Sequence, residues 1–267
     1  INEKNLDLET IKFDINIFDY LNNRNPISQI SMFSRENNID QVINFINEYD
    51  FSLVRSILLK QVNKGKVKIN ASINFDENNP NKINYLINGY ITNAEVKLQN
   101  KTKVENIKLD FLIDKNEINL KEIELLFDKI FITSDKVNIK KVNDQFNISG
   151  NFKSKKTEIN LKNYSKIFNN SLSLIDNRSI NLSSDNEFLF KINNKLKFKD
   201  FNIQSKLNFD ELYTKSKYQD LIYLKNGEII INFIKEELKI NLNSNFFFKN
   251  KKYKNDEPNN LIGIIYK

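Results

Sequence analysis

The feature that most constrains this chain is strict two-residue alternation of apolar and polar side chains, repeated along most of its length. Val67, Ile69, Ala71, Ile73 and Phe75 alternate with Lys68, Asn70, Ser72 and Asn74 without a break. Ile107, Leu109, Phe111 and Ile113 alternate with Lys108 and Asp110, Leu112 being the one intruder. Side chains in a strand point to opposite faces in turn, so such segments have one dry face and one wet face. A chain built this way makes a sandwich, a closed barrel or an open gutter with an apolar inside.

Approximate strands are expected at 66–76, 82–99 (broken near Asn88-Gly89), 103–113, 117–127, 130–140 and 144–153, then at 187–193, 195–209, 227–235, 237–243 and 244–249. Spacing of about ten residues with short turns implies antiparallel meanders. The turns use Asn, Asp and Lys, as in Asp114-Lys115-Asn116-Glu117, Asn143-Asp144 and Asn193-Asn194. Asn and Asp tolerate the left-handed conformation, so five glycines suffice for 267 residues.

The first quarter differs. Leu6 to Phe18 reads as a strand, broken by Asn22 to Pro26. Ile39, Val42, Ile43 and Ile46 then fall at i, i+3, i+4 and i+7, one stripe of a helix. Asn38 and Gln41 form a capping-box pattern at its start. A second helical piece carries Leu53, Val54, Ile57 and Leu58, with Gly65 as its stop. These helices are expected to plug or cap the end of the sheet. Residues 154–186 form a weaker stretch with a short helix near 161–168, and the tail from Asn250 reads as loop. The expected organisation is 1–25 leading strands, 26–65 a helical segment, 66–160 a first β unit, 161–186 a connector and 187–267 a second β unit.

An internal repeat supports two units. Ile118-Asn-Leu120-Lys121-Glu122-Ile123-Glu-Leu125 matches Leu196-Lys-Phe198-Lys199-Asp200-Phe201-Asn-Ile203, each after a strand carrying Phe-x-Ile. In both copies the alternation slips by one residue at the Lys-acidic pair. A slip flips every later side chain unless a bulge or bend absorbs it, so a bulge is expected at each pair. Ile139-Lys140-Lys141-Val142 is a degenerate third copy.

Composition narrows the chemistry. There is no His, Cys or Trp, which removes the commonest general base, thiolate ligands and disulfides. No catalytic residue, metal ligand or cofactor motif emerges. Gly65-Lys66 lacks the rest of a phosphate-binding loop, and the carboxylates Asp110, Asp114, Glu117, Glu122 and Glu124 fall on turns or wet positions. Asp76-Glu77-Asn78-Asn79 lacks the spacing of a calcium loop. The net charge of +7 and a mean hydropathy of −0.53 describe a well-solvated polar face. Nucleic-acid binding is not expected, because period two puts Phe198 opposite Lys197 and Lys199, which therefore form no joint stacking platform. The Lys-rich strands also argue against an outer-membrane barrel. No apolar run reaches the roughly 18 residues of a membrane helix. The start at Ile1 reads as that of a segment of a longer protein, with any anchor lying elsewhere.

Three stretches resemble the AsmA-like group of bacterial envelope proteins, of the YhdP/TamB type. The first is the helical piece ending at Gly65 before Lys66-Val67-Lys68-Ile69-Asn70-Ala71. The second is Asn88-Gly89-Tyr90-Ile91-Thr92-Asn93-Ala94-Glu95-Val96, with its G-x-I-x-x-A-x-V spacing. The third is the repeated unit itself, followed by Phe146-Asn147-Ile148-Ser149-Gly150-Asn151-Phe152. The resemblance covers most of 50–250. It implies a mainly β fold, an antiparallel meander forming a long twisted, taco-like β-groove with one or two short N-terminal helices. It further implies a non-enzymatic periplasmic protein, anchored in the inner membrane, that carries phospholipids between inner and outer membranes. The expected groove lining is Val67, Ile69, Ile73, Phe75, Ile107, Leu109, Phe111, Ile118, Leu120, Ile123, Leu125, Ile139, Phe146 and Ile148. The competing expectation is a structural or assembly β-repeat of the cell envelope, in which the same residues fill an ordinary packed core.

Overall fold

The computed structural model describes residues 6–22, 26–49, 61–76, 83–98, 103–143, 145–160, 179–193, 197–214, 221–249 and 259–266. The chain divides into two compact units, Ile1–Asn147 and Ile148–Lys267. The first contains β1 (Leu8–Ile15), α1 (Ile17–Leu21), β2 (Ile27–Ser34), β3 (Asn37–Asn38), α2 (Ile39–Tyr49), β4 (Val62–Phe75), β5 (Ile83–Lys97), β6 (Lys103–Ile113), β7 (Glu117–Phe127) and β8 (Ile130–Val142). β9 (Gln145–Asn160) leads into the second, which continues with β10 (Ser179–Asn193), β11 (Phe198–Thr214), β12 (Leu221–Ile234), β13 (Glu237–Lys249) and β14 (Asn259–Tyr266).

Both units are antiparallel meanders. In the first, hydrogen-bonded neighbours run β1-β2-β4-β5-β6-β7-β8, with β3 also on β4; in the second they run β9-β10-β11-β12-β13-β14. The path is open, because among the described residues β1 has β2 as its single neighbour and β14 has β13. Among the described residues neither meander closes on itself into a barrel.

Turn chemistry explains the hairpins. Asp114 Oδ1 accepts from the backbone N–H of Asn116 and Glu117, at 2.8 and 2.9 Å, and so closes the β6–β7 turn. Asp128-Lys129 and Lys235-Glu236 make two-residue turns with positive φ at both positions, the geometry that matches strand twist.

Bulges fall where the repeat requires them. Glu122 and Asp200 both adopt φ of 49° inside strands. The same device recurs at Asn93, Asn106 and Asn226, with φ of 51°, 53° and 49°. Each absorbs a one-residue slip in its strand, and a bulge also bends the strand locally. With Gly65 at φ 140°, the four neighbouring strands β4, β5, β6 and β7 each carry a positive-φ residue: Gly65, Asn93, Asn106 and Glu122. The third copy differs: β8 stays regular to Lys140, opposite Glu117, and the left-handed residue is Asn143 in the turn.

Several expectations are corrected. β1 stops at Ile15, because Asn16 caps a helix there, its side chain accepting from Phe18 N–H at 3.0 Å. The segment 26–65 is not simply helical: β2 fills the place between β1 and β4, pairing Ile30 with Ile73 and Met32 with Ala71. Such pairing overrides the weak alternation of Ile27–Ser34. Gly65 is a bulge inside β4 and not a helix stop, its close contact with Ala94 leaving no space for a side chain. β5 runs unbroken through Asn88-Gly89, since Gly89 lies directly beneath Phe111. The separate strands expected at 237–243 and 244–249 are one, β13, and the tail carries β14. Of the expected connector, 179–186 belongs to β10. The second helix at 53–58 and the helix at 161–168 lie outside the described residues.

α2 forms as its stripe predicts. Gln41 Oε1 accepts from Asn38 N–H at 3.0 Å, the reciprocal arm of the capping box. Ile39 and Val42 bury against Val67 and Ala94, so the helix covers one end of the first unit's dry face.

Candidate functional site: an apolar face left largely uncovered

The register joins apolar side chains of successive strands into rows. One row crosses the seven strands of the path β1-β2-β4-β5-β6-β7-β8: Ile11, Met32, Ala71, Ile87, Ile113, Ile118 and Ile139. At about 4.8 Å between strands, it extends roughly 29 Å. A second row sets Phe13, Ile30, Ile73 and Tyr85 side by side. A third runs Ile69, Gly89, Phe111, Leu120 and Val137. The bulges keep this face dry, since Ala94 follows Ile91, Ile107 follows Val104 and Ile123 follows Leu120, each three residues on.

The opposite face is wet. Asn70 Nδ2 donates to Asn88 Oδ1 at 3.2 Å, and Asn138 Nδ2 donates to Asn119 Oδ1 at 3.0 Å. Beside the bulge at Asn93, Glu95 is held by Lys103 at 3.1 Å and Lys64 at 3.4 Å. The Lys103 hydrogen bond, seconded by Lys64, holds its carboxyl below the usual range against the opposing pull of desolvation.

Burial divides the dry face of the first unit in two. Val67, Ile69, Ile107 and Phe111 belong to the cluster under α2, with Val67 only 3% exposed. Away from the helix, Ile73, Phe75, Leu109, Ile118, Leu120, Leu125 and Ile139 are partly buried and keep contact with solvent. Ile123 is buried, opposite Ser134. Phe146 and Ile148, at the start of β9, are partly buried. Among the described residues eight apolar side chains are buried, and none is fully enclosed. A sandwich whose inner faces interdigitate buries its inward rows almost completely. These rows are not packed that way.

The second unit repeats the pattern in residues that the expected lining omitted. Phe188, Ile203, Phe233 and Leu238 form one row, Leu207, Ile229 and Leu242 another, and Ser205, Ile231 and Ile240 a third. Alternation in Ile229-Ile231-Phe233 and Leu238-Ile240-Leu242 was the available signal. Around one end Phe190 meets Phe188, Phe198 and Phe201 at centroid distances of 5.7, 5.3 and 6.2 Å. Phe198 and Phe201 reach the same ring because the Asp200 bulge lies between them.

A polar inset interrupts this face. Ser154 and Ser184 hydroxyls lie 2.9 Å apart, and Ser184 N–H donates to Ser154 Oγ. Asn186 Nδ2 donates to Phe152 O and to Ser184 Oγ, while Ser205 donates to Asn186 Oδ1. These groups satisfy one another, so the inset mends the β9–β10 ladder.

On the wet side of this unit, a shallow depression of ≈ 540 Å³ is lined by Glu158, Asn181, Asp210, Glu211, Tyr213 and Asn226. Its carboxylates are engaged: Ser179 donates to Glu158 at 2.5 Å, Lys156 pairs with Asp210, and Tyr213 and Lys225 hold Glu211 at 2.7 and 3.1 Å.

Comparison of the chain with family models, with curated proteins and with solved structures finds no match. The AsmA-like resemblance therefore rests on the residue patterns alone.

Proposed function

We propose that this chain is a non-enzymatic segment of a bridge-like lipid-transfer protein, whose dry face carries phospholipid acyl chains between two membranes. The reading places it in the periplasm, with contact to inner and outer membranes made by regions outside the segment. It calls for no cofactor. One observation carries it: apolar rows in register across neighbouring strands, buried under α2 at one end and, Ile123 apart, only partly buried elsewhere.

The energetics fit such a role. At about 0.8 kcal/mol per buried methylene, a chain of about 16 carbons gains at most roughly 12 kcal/mol on leaving water. An open face covers only part of the guest, so the realised gain is smaller and the hold is loose. A bilayer's hydrocarbon core is about 30 Å thick, so one acyl chain spans about half of that, and the seven-strand row is about twice as long as one chain. No specific pocket is needed, and contact of this kind permits sliding. Headgroups stay at the Lys- and Asn-rich margins.

The test is extraction of the purified chain followed by lipid mass spectrometry, with Ile118→Asp beside it. Phospholipid bound to the unaltered chain and lost from the folded variant supports the conduit. A folded chain that takes up no phospholipid even from vesicles ends it in favour of a structural β-repeat.

A further inference from the structure

We infer that β1 is a docking edge for a second copy of this chain, which adds antiparallel across Ile11–Ile15 about a two-fold axis through Phe13. β1 is an edge strand, with β2 its single neighbour among the described residues. Alternate backbone N–H and C=O groups along it therefore point away from the sheet. Its dry-face side chains grow steadily more exposed: Ile11 46%, Phe13 53%, Ile15 61%. Among the described residues, Phe198 apart, every large apolar residue more than three-fifths exposed lies between Ile15, the last of β1, and Leu21, the last of α1. The exposed apolar side chains of β1, continued by those of α1 directly after it, make this an apolar margin of the kind that marks an interaction edge.

Charge selects the occupant and its register. In β1 the wet-face residues are Thr10, Lys12 and Asp14, placed by their partners Phe33, Ser31 and Gln29. Centring the two-fold on Phe13 sets Phe13 against Phe13, Ile11 against Ile15 twice, and Lys12 against Asp14 twice. Centring it on Lys12 or Asp14 sets like charges together. Centring it on Ile11 puts Phe13 against Glu9. Directly opposed opposite charges stabilise strand pairs and like charges weaken them, so the sequence of β1 is complementary to itself in one register. The Asp14 carboxylate has no partner among the described residues, and Lys12 Nζ stands 5.4 Å from the Phe33 ring centroid, both on the wet face. A two-fold axis perpendicular to the sheet keeps both dry faces on the same side, so the row that begins at Ile11 continues into Ile15 of the second copy.

The chain has no cysteine, which makes a single introduced thiol diagnostic. Opposed residues of an antiparallel pair have Cα atoms about 4.5–5.5 Å apart, inside disulfide range. With the full 267-residue chain, Phe13→Cys is expected to form a disulfide-linked dimer under mild oxidation, and Ile11→Cys to remain monomeric on denaturing gels. Light scattering from micromolar to millimolar concentration should show the unaltered chain dimerising. Lys12→Asp should weaken the dimer at least about tenfold, and Lys12→Asp with Asp14→Lys should restore it, since two pairs change sign and revert. Circular dichroism checks that each variant keeps its strands. A chain monomeric throughout this range overturns the proposal. So does equal crosslinking of Phe13→Cys and Ile11→Cys, failure of the charge swap to rescue, or binding of β1 to vesicles or a foreign strand without self-association. None of these results bears on lipid uptake, which is measured separately.

Discussion

Two aspartates placed on one dry face distinguish a filled core from an open lining. Val67 lies beneath Ile39 and Val42 and is 3% exposed. Val67→Asp removes about 1.5–3 kcal/mol of side-chain burial and leaves a carboxyl without water or a partner, costing a further 1–3 kcal/mol. The expected loss is about 4 kcal/mol, enough to lower the melting temperature by roughly 8–16 °C for a chain above 150 residues. Ile118 sits in the same sheet, between Ile113 and Ile139, and is partly buried, outside the cluster under α2. There the new carboxylate keeps its water, so Ile118→Asp forfeits only partial burial, about 1 kcal/mol. Urea titration followed by far-UV circular dichroism measures both, and lipid retention is read on the same samples. The reasoning is refuted if Ile118→Asp is as destabilising as Val67→Asp, because the row would then be packed and not open.

Three other outcomes follow from the geometry. Glu122→Val should cost about 1–2 kcal/mol in urea titration, since a β-branched side chain resists φ of 49°, while Glu124→Val at a regular position should be nearly neutral. Gly89→Ala should destabilise by about 2 kcal/mol or more, as the added carbon would lie 1.9 Å from Lys68 O and 2.8 Å from the Phe111 ring, and a backbone atom cannot yield cheaply. Because Lys103 and Lys64 depress the Glu95 carboxyl, its stabilising effect is present above the ordinary carboxylate value of 4.5 and lost as pH falls through the lower folded value. Glu95→Gln should therefore flatten the acid limb of a pH-dependent melt below about pH 4.5 and leave neutral pH behaviour similar in shape.

Strand content was legible because alternation is local. β6 and β7 fall at 103–113 and 117–127 as the pattern predicts, bounded by an Asp114 turn whose hydrogen bonds follow from its residue type. The bulges at Glu122 and Asp200 were legible because a repeat exposed the same slip twice. Those at Asn93, Asn106 and Asn226 have no matching repeat to mark them, although Ile91/Ala94 and Val104/Ile107 carry the same three-residue step. β2 was hidden, since Ile27, Ile30, Met32 and Phe33 fit neither period and take their form from β1 and β4. For the candidate site, period two identifies which residues face inward, but coverage by α2 is a tertiary fact. Nothing in Val67 or Ile118 alone tells that one is roofed and the other is not.

The order of the meander has a further consequence for how such a chain comes to be. Nearly every ladder joins segments adjacent along the backbone, β2 with β4 being the exception. Structure can then grow by zippering one hairpin onto the last, with small loop-closure penalties and no wait for distant partners. The same locality makes length negotiable: adding or deleting a hairpin pair alters the reach of the ribbon while every remaining neighbour keeps its neighbour, much as in solenoid repeats.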